Sequence, residues 1–88
     1  MKFKAIVFVR VRGNVSDSAG NAVKQNVNRV SDVDLDVSTL RIGKVIDIEF
    51  ESPSEEEAKD QLAILSDRLL ANTVIEDWSY ELQVLNNE

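Results

Sequence analysis

The chain has no cysteine and no histidine. The first absence removes a disulfide framework and any thiolate metal site. The second removes the imidazole that most often serves as general base and zinc ligand. Most mechanisms open to a small enzyme are thereby excluded. Long hydrophobic runs are missing too: the N-terminal MKFKAIVFVRVR is short and broken by charge, which fits neither a signal peptide nor a membrane span. A cytoplasmic protein with no membrane partner is expected. There is no internal repeat, low-complexity segment or linker, and no basic stripe interleaved with aromatics. Together with a net charge of −6, that last absence argues against nucleic acid as a ligand.

What remains is a chain of 88 residues. That length implies one domain, placed at 1–85, with 86–88 fraying at the end. A domain of this size buries only about 60 to 65% of its unfolded surface, so its core is modest and self-association would help it. Charge is unevenly spread. Up to Ser31 there are six basic residues (Lys2, Lys4, Arg10, Arg12, Lys24, Arg29) against Asp17, whereas from Asp32 onward four basic residues face fifteen acids. Such polarity could orient one subunit on another, or simply keep a surface soluble.

Phe3, Ala5, Val7, Val9 and Val11 alternate with Lys4, Ile6, Phe8, Arg10 and Arg12, a period of two that predicts a strand. Its odd positions are wholly apolar and should meet the core. Ile6 and Phe8 lie between charges on the second face and make it a candidate self-association surface. Gly13-Asn14 signals a turn, and Asp17 is placed to cap a helix whose narrow stripe is Ala19, Val23, Val27 and Val30. Gly20 within it is expected to permit close approach to another backbone. Leu40, Ile42, Ile46, Ile48 and Phe50 share one parity. A three-residue loop centred on Gly43, with that glycine left-handed, or a bulge there, would preserve the parity across a hairpin.

Ser52-Pro53-Ser54-Glu55 reads as a helix start with Ser52 as cap, followed by the stripe Ala58, Leu62, Leu65 and Leu69. Glu55, Glu56 and Glu57 suit the positive end of that helix; consecutive residues fan around the axis and do not converge on a metal ion. Asn72 is expected to end the helix in a left-handed conformation. Val74, Trp78, Tyr80, Leu82 and Val84 then mark a last strand. The order strand, helix, strand, strand, helix, strand predicts an α+β, ferredoxin-like β-α-β-β-α-β sandwich, with two helices on one face of a four-stranded antiparallel sheet.

Three segments carry a family resemblance. LLANTVIEDW at 69–78 resembles the LLANPVIEDY signature of the small subunit of phosphoribosylformylglycinamidine synthase, the PurS family. VSDSAGNAV at 15–23 resembles that family's VLDPQGxAV, departing at Ser18 and Ala19. LRIGKVIDIEF at 40–50 resembles VRxGKxxEL through Arg41, Gly43 and Lys44. The resemblance implies a non-catalytic subunit of a purine-biosynthetic synthase. In that family a large subunit carries the ATP and ribonucleotide chemistry, a glutaminase subunit releases ammonia, and the small subunit joins them as a dimer or higher oligomer. ATP, magnesium and glutamine would then be used by the complex, with no cofactor bound by this chain. Arg41, Gly43, Lys44, Asn72, Glu76 and Asp77 are the candidate partner contacts, and Ile6 and Phe8 the candidates for self-association. Each of the former has a plain structural alternative, Asn72 as helix terminator and Gly43 as a conformational device among them. Trp78 reads as a packing residue. A competing reading is an amino-acid sensor of the ACT type, in which Gly13-Asn14 would be the ligand-binding turn.

Overall fold

The computed structural model describes residues 1–85. The chain runs through β1 (Lys2–Val11), α1 (Ser18–Asn26), β2 (Gly43–Glu51), α2 (Glu55–Leu65) and β3 (Glu76–Leu85). A 3₁₀ turn at Val27–Arg29 prolongs α1, and a π-helical turn at Ser66–Leu70 prolongs α2. The expected frayed tail, 86–88, lies outside the described residues.

Alternation along β1 makes it the middle strand. It pairs antiparallel with both neighbours, in the order β2-β1-β3. Register places Phe3 between Phe50 and Val84, Ala5 between Ile48 and Leu82, and Val7 between Ile46 and Tyr80. Phe3, Ala5, Val7 and Val9 are fully buried, as their parity predicted. The Phe3 and Phe50 rings stack with centroids 5.5 Å apart. Leu62 of α2 and Ala71 join Ala5, Val7 and Val9 in one buried cluster, and Ala58 of α2 is buried as well. The second face stays open: Val45, Asp47 and Glu49 on one side of β1, and Ser79, Glu81 and Gln83 on the other, are all exposed. Ile6 and Phe8 are half-buried between them, with the Arg10 guanidinium 5.8 Å from the Phe8 ring centroid.

The sheet has three strands among the described residues, not the expected four. The hairpin at Gly43 does not form, because Gly43 opens β2 opposite Arg10. A Cβ there would collide with the Val9 carbonyl oxygen, so the glycine serves a close strand contact. No glycine among the described residues has a positive φ, which corrects the left-handed expectation. Residues 40–42 are drawn elsewhere: the Ile42 N–H donates to Asp17 Oδ2 at 2.7 Å. A Cβ on Gly20 would strike the Leu40 carbonyl oxygen, which bears out Gly20 as the point of close backbone approach. Asp17 is the N-cap as expected, accepting the Gly20 N–H at 3.0 Å.

The placement of both helices on one sheet face is corrected as well. Of α1 only Gly20 is buried. Its stripe of one alanine and three valines offers little apolar area, and Val23 and Val30 remain 46% and 59% exposed. Polar bonds hold this part together instead. The Asn28 amide exchanges two 2.9 Å bonds with the Leu35 backbone, and Lys24 Nζ donates to the Ser38 carbonyl at 2.7 Å. Residues 12–42 thus form an arm beside the sheet. The radius of gyration, 17.2 Å, exceeds the roughly 12 Å of a compact chain of this length.

α2 starts two residues later than its sequence indicated. Ser54 caps it, its hydroxyl accepting the Glu57 N–H at 3.1 Å, while Ser52 is buried and pairs its backbone with Met1. The stripe then breaks. Ala58 and Leu62 are buried, but Leu65 is at the surface and Leu69 is 72% exposed. Ser66 follows Ala58 and Leu62 inward at the regular spacing of four, and the π turn that begins there adds a residue to the repeat, so Leu70 and Ala71 turn inward where Leu69 was expected.

Candidate functional site

The signature segment 69–78 sits where α2 returns to the sheet, and its backbone is folded on itself. The Ala71 N–H donates to the Ser66 carbonyl at 3.0 Å, closing the π turn. The Asn72 carbonyl then accepts from Ile75 at 3.0 Å and from Glu76 at 2.7 Å. Asn72 Oδ1 accepts the Val74 N–H at 3.3 Å, an Asx turn, and the Asn72 N–H donates to Glu76 Oε1 at 2.7 Å. Asn72 therefore shapes the loop as a side-chain acceptor. The left-handed terminator is corrected, since Asp32 alone among the described non-glycine residues has a positive φ. β3 begins only at Glu76, and Val74, expected to open that strand, is 82% exposed.

Two arginines tie this loop to the base of the arm. Arg12 donates through its guanidinium to the Thr73 carbonyl at 2.6 Å and through its backbone to the Ile75 carbonyl at 2.8 Å. Its Nε lies 3.4 Å from Asp77 Oδ1. Arg41 reaches across the arm's base, donating to the carbonyls of Val15 at 2.7 Å, Arg12 at 2.8 Å and Val11 at 3.4 Å. A single guanidinium thus gathers three carbonyls where β1 ends and the arm begins. Asp17 holds the opposite strand of that base. The Ile42 and Gly20 N–H groups, with the Arg41 charge nearby, keep its carboxyl below the ordinary carboxylate range.

Of the expected site residues, Arg41, Asn72, Glu76 and Asp77 are brought to one end of the molecule and joined through Arg12. Gly43 and Lys44 open β2 at that same end. Lys44 Nζ lies 3.4 Å from the Leu70 carbonyl, a cation at a helix C-terminus. Trp78 is half-buried, stacked on Tyr80 with centroids 6.3 Å apart, and its Nε1–H donates to Asp67 Oδ1 at 3.2 Å. Packing is the role it fills. Arg12, central to the network, was read from the sequence only as a charge. A hollow of about 360 Å³ opens between this network and the open sheet face, lined by Phe8, Arg10, Arg41, Ile42 and Asp77 among others. Ile6 and Phe8 belong to that open face and not to the loop.

Register also changes how the charge polarity reads. β1 sets Lys4 opposite Glu49, and Arg10 opposite Asp77. The basic N-terminal strand is flanked by acidic ones, so the two halves partly neutralise each other within one sheet. The acids and bases of the site spend their bonds on the backbone or on one another. Among the described residues no group of three metal-ligating side chains converges, and no helix is long and apolar enough to cross a membrane.

Comparison with known proteins agrees with the signature. The family profile described as "PurS: Phosphoribosylformylglycinamidine (FGAM) synthase" matches residues 4–84. A Synechocystis protein named phosphoribosylformylglycinamidine synthase subunit PurS is 40% identical over 79 residues, spanning 90% of this chain and 77% of that one. The Bacillus subtilis subunit of the same name is 32% identical over 81 residues, covering 92% of this chain and 93% of its own. Among solved structures, one described as PurLQS from Thermotoga maritima contains a chain that superposes with a TM-score of 0.83 at 29% identity, over 94% of this chain and 99% of that one. These matches lend no support to an amino-acid sensor. With fold, signature loop and relatives in agreement, the chain belongs to the PurS family, the small subunit of phosphoribosylformylglycinamidine synthase in purine biosynthesis.

Proposed function

We propose that this chain is a non-catalytic joining subunit, which brings the large ATP-dependent synthetase subunit and the glutaminase subunit of the synthase together and supports ammonia transfer between them. One observation carries the reading most directly. The polar residues a catalyst would use at the site, Asp17, Arg12, Arg41, Asn72 and Glu76, are each bonded to this chain's own backbone. Such a network fixes the shape of a surface. The end of the molecule framed by Arg41, Gly43, Lys44, Asn72, Glu76 and Asp77 is where we place contact with the other subunits. A dimer or tetramer built on the open sheet face through Ile6 and Phe8 would cover apolar groups that a lone copy leaves half wetted. ATP, magnesium and glutamine belong to the partners in this scheme, and the assembly is cytoplasmic.

The test is reconstitution of the synthase with and without this chain, measured with glutamine and again with free ammonia. Glutamine-driven turnover is expected to fall by at least tenfold on omission while ammonia-driven turnover holds. Glutamine-driven turnover unchanged by omission would sink the joining role.

A further inference from the structure

The signature loop turns at Thr73. The Ile75 N–H donates to the Asn72 carbonyl at 3.0 Å, which makes Asn72 to Ile75 a four-residue β-turn with Thr73 in its second position. Neither Thr73 nor Val74 has a positive φ. The hydrogen-bonded turn is therefore of type I, the form that sets φ at about −60° in that second position. Proline is fixed at about −65° and fits it without strain. A pyrrolidine ring there would forfeit nothing, because the Thr73 N–H makes no hydrogen bond among the described residues. The signature that this loop resembles has proline at this point. Threonine, which stands in its place, leaves the angle free in the unfolded chain, so its ordering must be met by a contact.

Arg12 supplies that contact. Its guanidinium donates to the Thr73 carbonyl at 2.6 Å and its backbone N–H to the Ile75 carbonyl at 2.8 Å, so one residue grips the turn at its second and fourth positions. Among the described residues, every hydrogen bond that reaches Asn72, Thr73, Val74 or Ile75 from outside the segment 69–78 comes from Arg12. The bonds of Asn72 and Glu76 close the loop on itself; the Arg12 bonds fix where it stands. Arg12 is itself held in place. Its carbonyl accepts from Arg41 at 2.8 Å. Its Nε is shut off from solvent without a hydrogen-bond partner, and the Asp77 carboxylate faces it at 3.4 Å.

We infer that Arg12 is the positioning residue of the signature loop: its bond to the Thr73 carbonyl holds the turn that threonine leaves free, in place of a proline ring, and so sets the surface on which the synthase assembles. Arg12 acts through residue 73 and touches no reacting group. The inference rests on the joining role and names what shapes its contact. Positions 12 and 73 are then energetically coupled, and proline at 73 should release the chain from its need for Arg12.

The experiment is a double-variant cycle in the reconstituted synthase, with wild type, Arg12→Met, Thr73→Pro and the two combined each titrated to half-maximal glutamine-driven turnover. Methionine keeps an apolar stem and removes every donor. Arg12→Met is expected to raise the half-saturating concentration about tenfold, the size of one lost charge-assisted bond. Turnover at saturating chain should stay within about twofold, since the chemistry belongs to other subunits. Thr73→Pro should lie within about twofold of wild type, and combining it with Arg12→Met should bring half-saturation back to within about threefold. Hydrogen exchange on the free chain follows the loop directly. The Ile75 and Glu76 amides, both bonded to the Asn72 carbonyl, should lose protection in Arg12→Met and regain it in the combined variant, with Ala5 and Val7 unchanged. Half-saturation by Arg12→Met within about twofold of wild type would overturn the inference. So would a combined variant as weak as Arg12→Met alone, which would show that Arg12 does not act through residue 73. An Arg12→Met chain that fails to fold and is not rescued by Thr73→Pro would overturn it too, leaving Arg12 a structural residue only. If the wild-type chain itself proves dispensable for glutamine-driven turnover, it is the joining role that fails, while the loss and return of amide protection still decides whether Arg12 holds the turn.

Discussion

β1 and the arm of residues 12–42 are built from similar amino acids and are held by opposite means. Val7 and Val9 of β1 are buried between two partner strands and α2, whereas Val23 and Val30 on the arm stay near half exposed. Strand geometry gives β1 a continuous apolar face, because every second residue adds to it. The arm's helix has a narrow stripe and meets no layer broad enough to cover it, so its order comes from Asn28, Lys24, Asp17 and Arg41 bonding to backbone. Hydrophobic burial fixes the sheet; a few polar clasps fix the arm. A valine's energetic weight in this molecule is therefore set by where its neighbours stand.

The largest effect that could break this contrast comes from truncating apolar side chains in each region. Phe3→Ala is expected to cost about 3–5 kcal/mol and Leu62→Ala about 2–5 kcal/mol. Val30→Ala should stay within about 0.5 kcal/mol. Urea unfolding in dilute solution measures all three, and an arm variant as costly as a core one would show that the arm carries burial of its own.

Glycines sharpen the contrast at a smaller scale. Gly43→Ala and Gly20→Ala each push a methyl group against a carbonyl, one in the sheet and one at the arm's base, with an expected cost of about 1–3 kcal/mol for overpacking. A Cβ on Gly13 meets nothing within 4 Å, so Gly13→Ala should fall within about 0.5 kcal/mol of neutral. Thermal melting of the three single variants separates steric need from turn chemistry.

The smallest expected effect is local and depends on pH. Asp17 is held below its ordinary pKa first by the Ile42 N–H, then by the Gly20 N–H. A carboxyl lowered in the folded state favours folding above its unfolded pKa of about 3.9 and loses that contribution as pH falls through the folded value. Protection of the Gly20 and Ile42 amides, corrected for intrinsic exchange, should therefore drop below about pH 4 while that of Ala5 and Val7 persists. In Asp17→Asn it should start lower at pH 5 and vary less with pH. Equal acid sensitivity in sheet and arm would erase the distinction between the two regions.

The same division governs what could be read in advance. β1, the coreward parity of Ile46, Ile48 and Phe50, the Asp17 cap and the close approach at Gly20 are legible because each follows from a local period or a single side chain's chemistry. Gly43 misled, since a glycine required by a neighbouring strand carries the same letter as one required by a turn. Ser52 and Ser54 offer the same hydroxyl two residues apart, and only the long-range pairing of the Ser52 backbone with Met1 separates them. Leu69 was placed in the core by a helical period that the π turn interrupts, and nothing in the local sequence announces an extra residue per turn. The site residues were found through the signature, but Arg12, which binds them together, lies some sixty positions away and was visible only as one more cation. Long-range polar bonds of this sort leave no periodic trace.

The arm's reach also alters how the molecule moves through water. A chain whose mass is spread over 50 by 33 by 15 Å drags more solvent than a sphere of equal weight, so a single copy should leave a sizing column early and pass for a larger particle. Counting copies in this family therefore calls for sedimentation equilibrium or light scattering, which weigh the particle instead of gauging its girth.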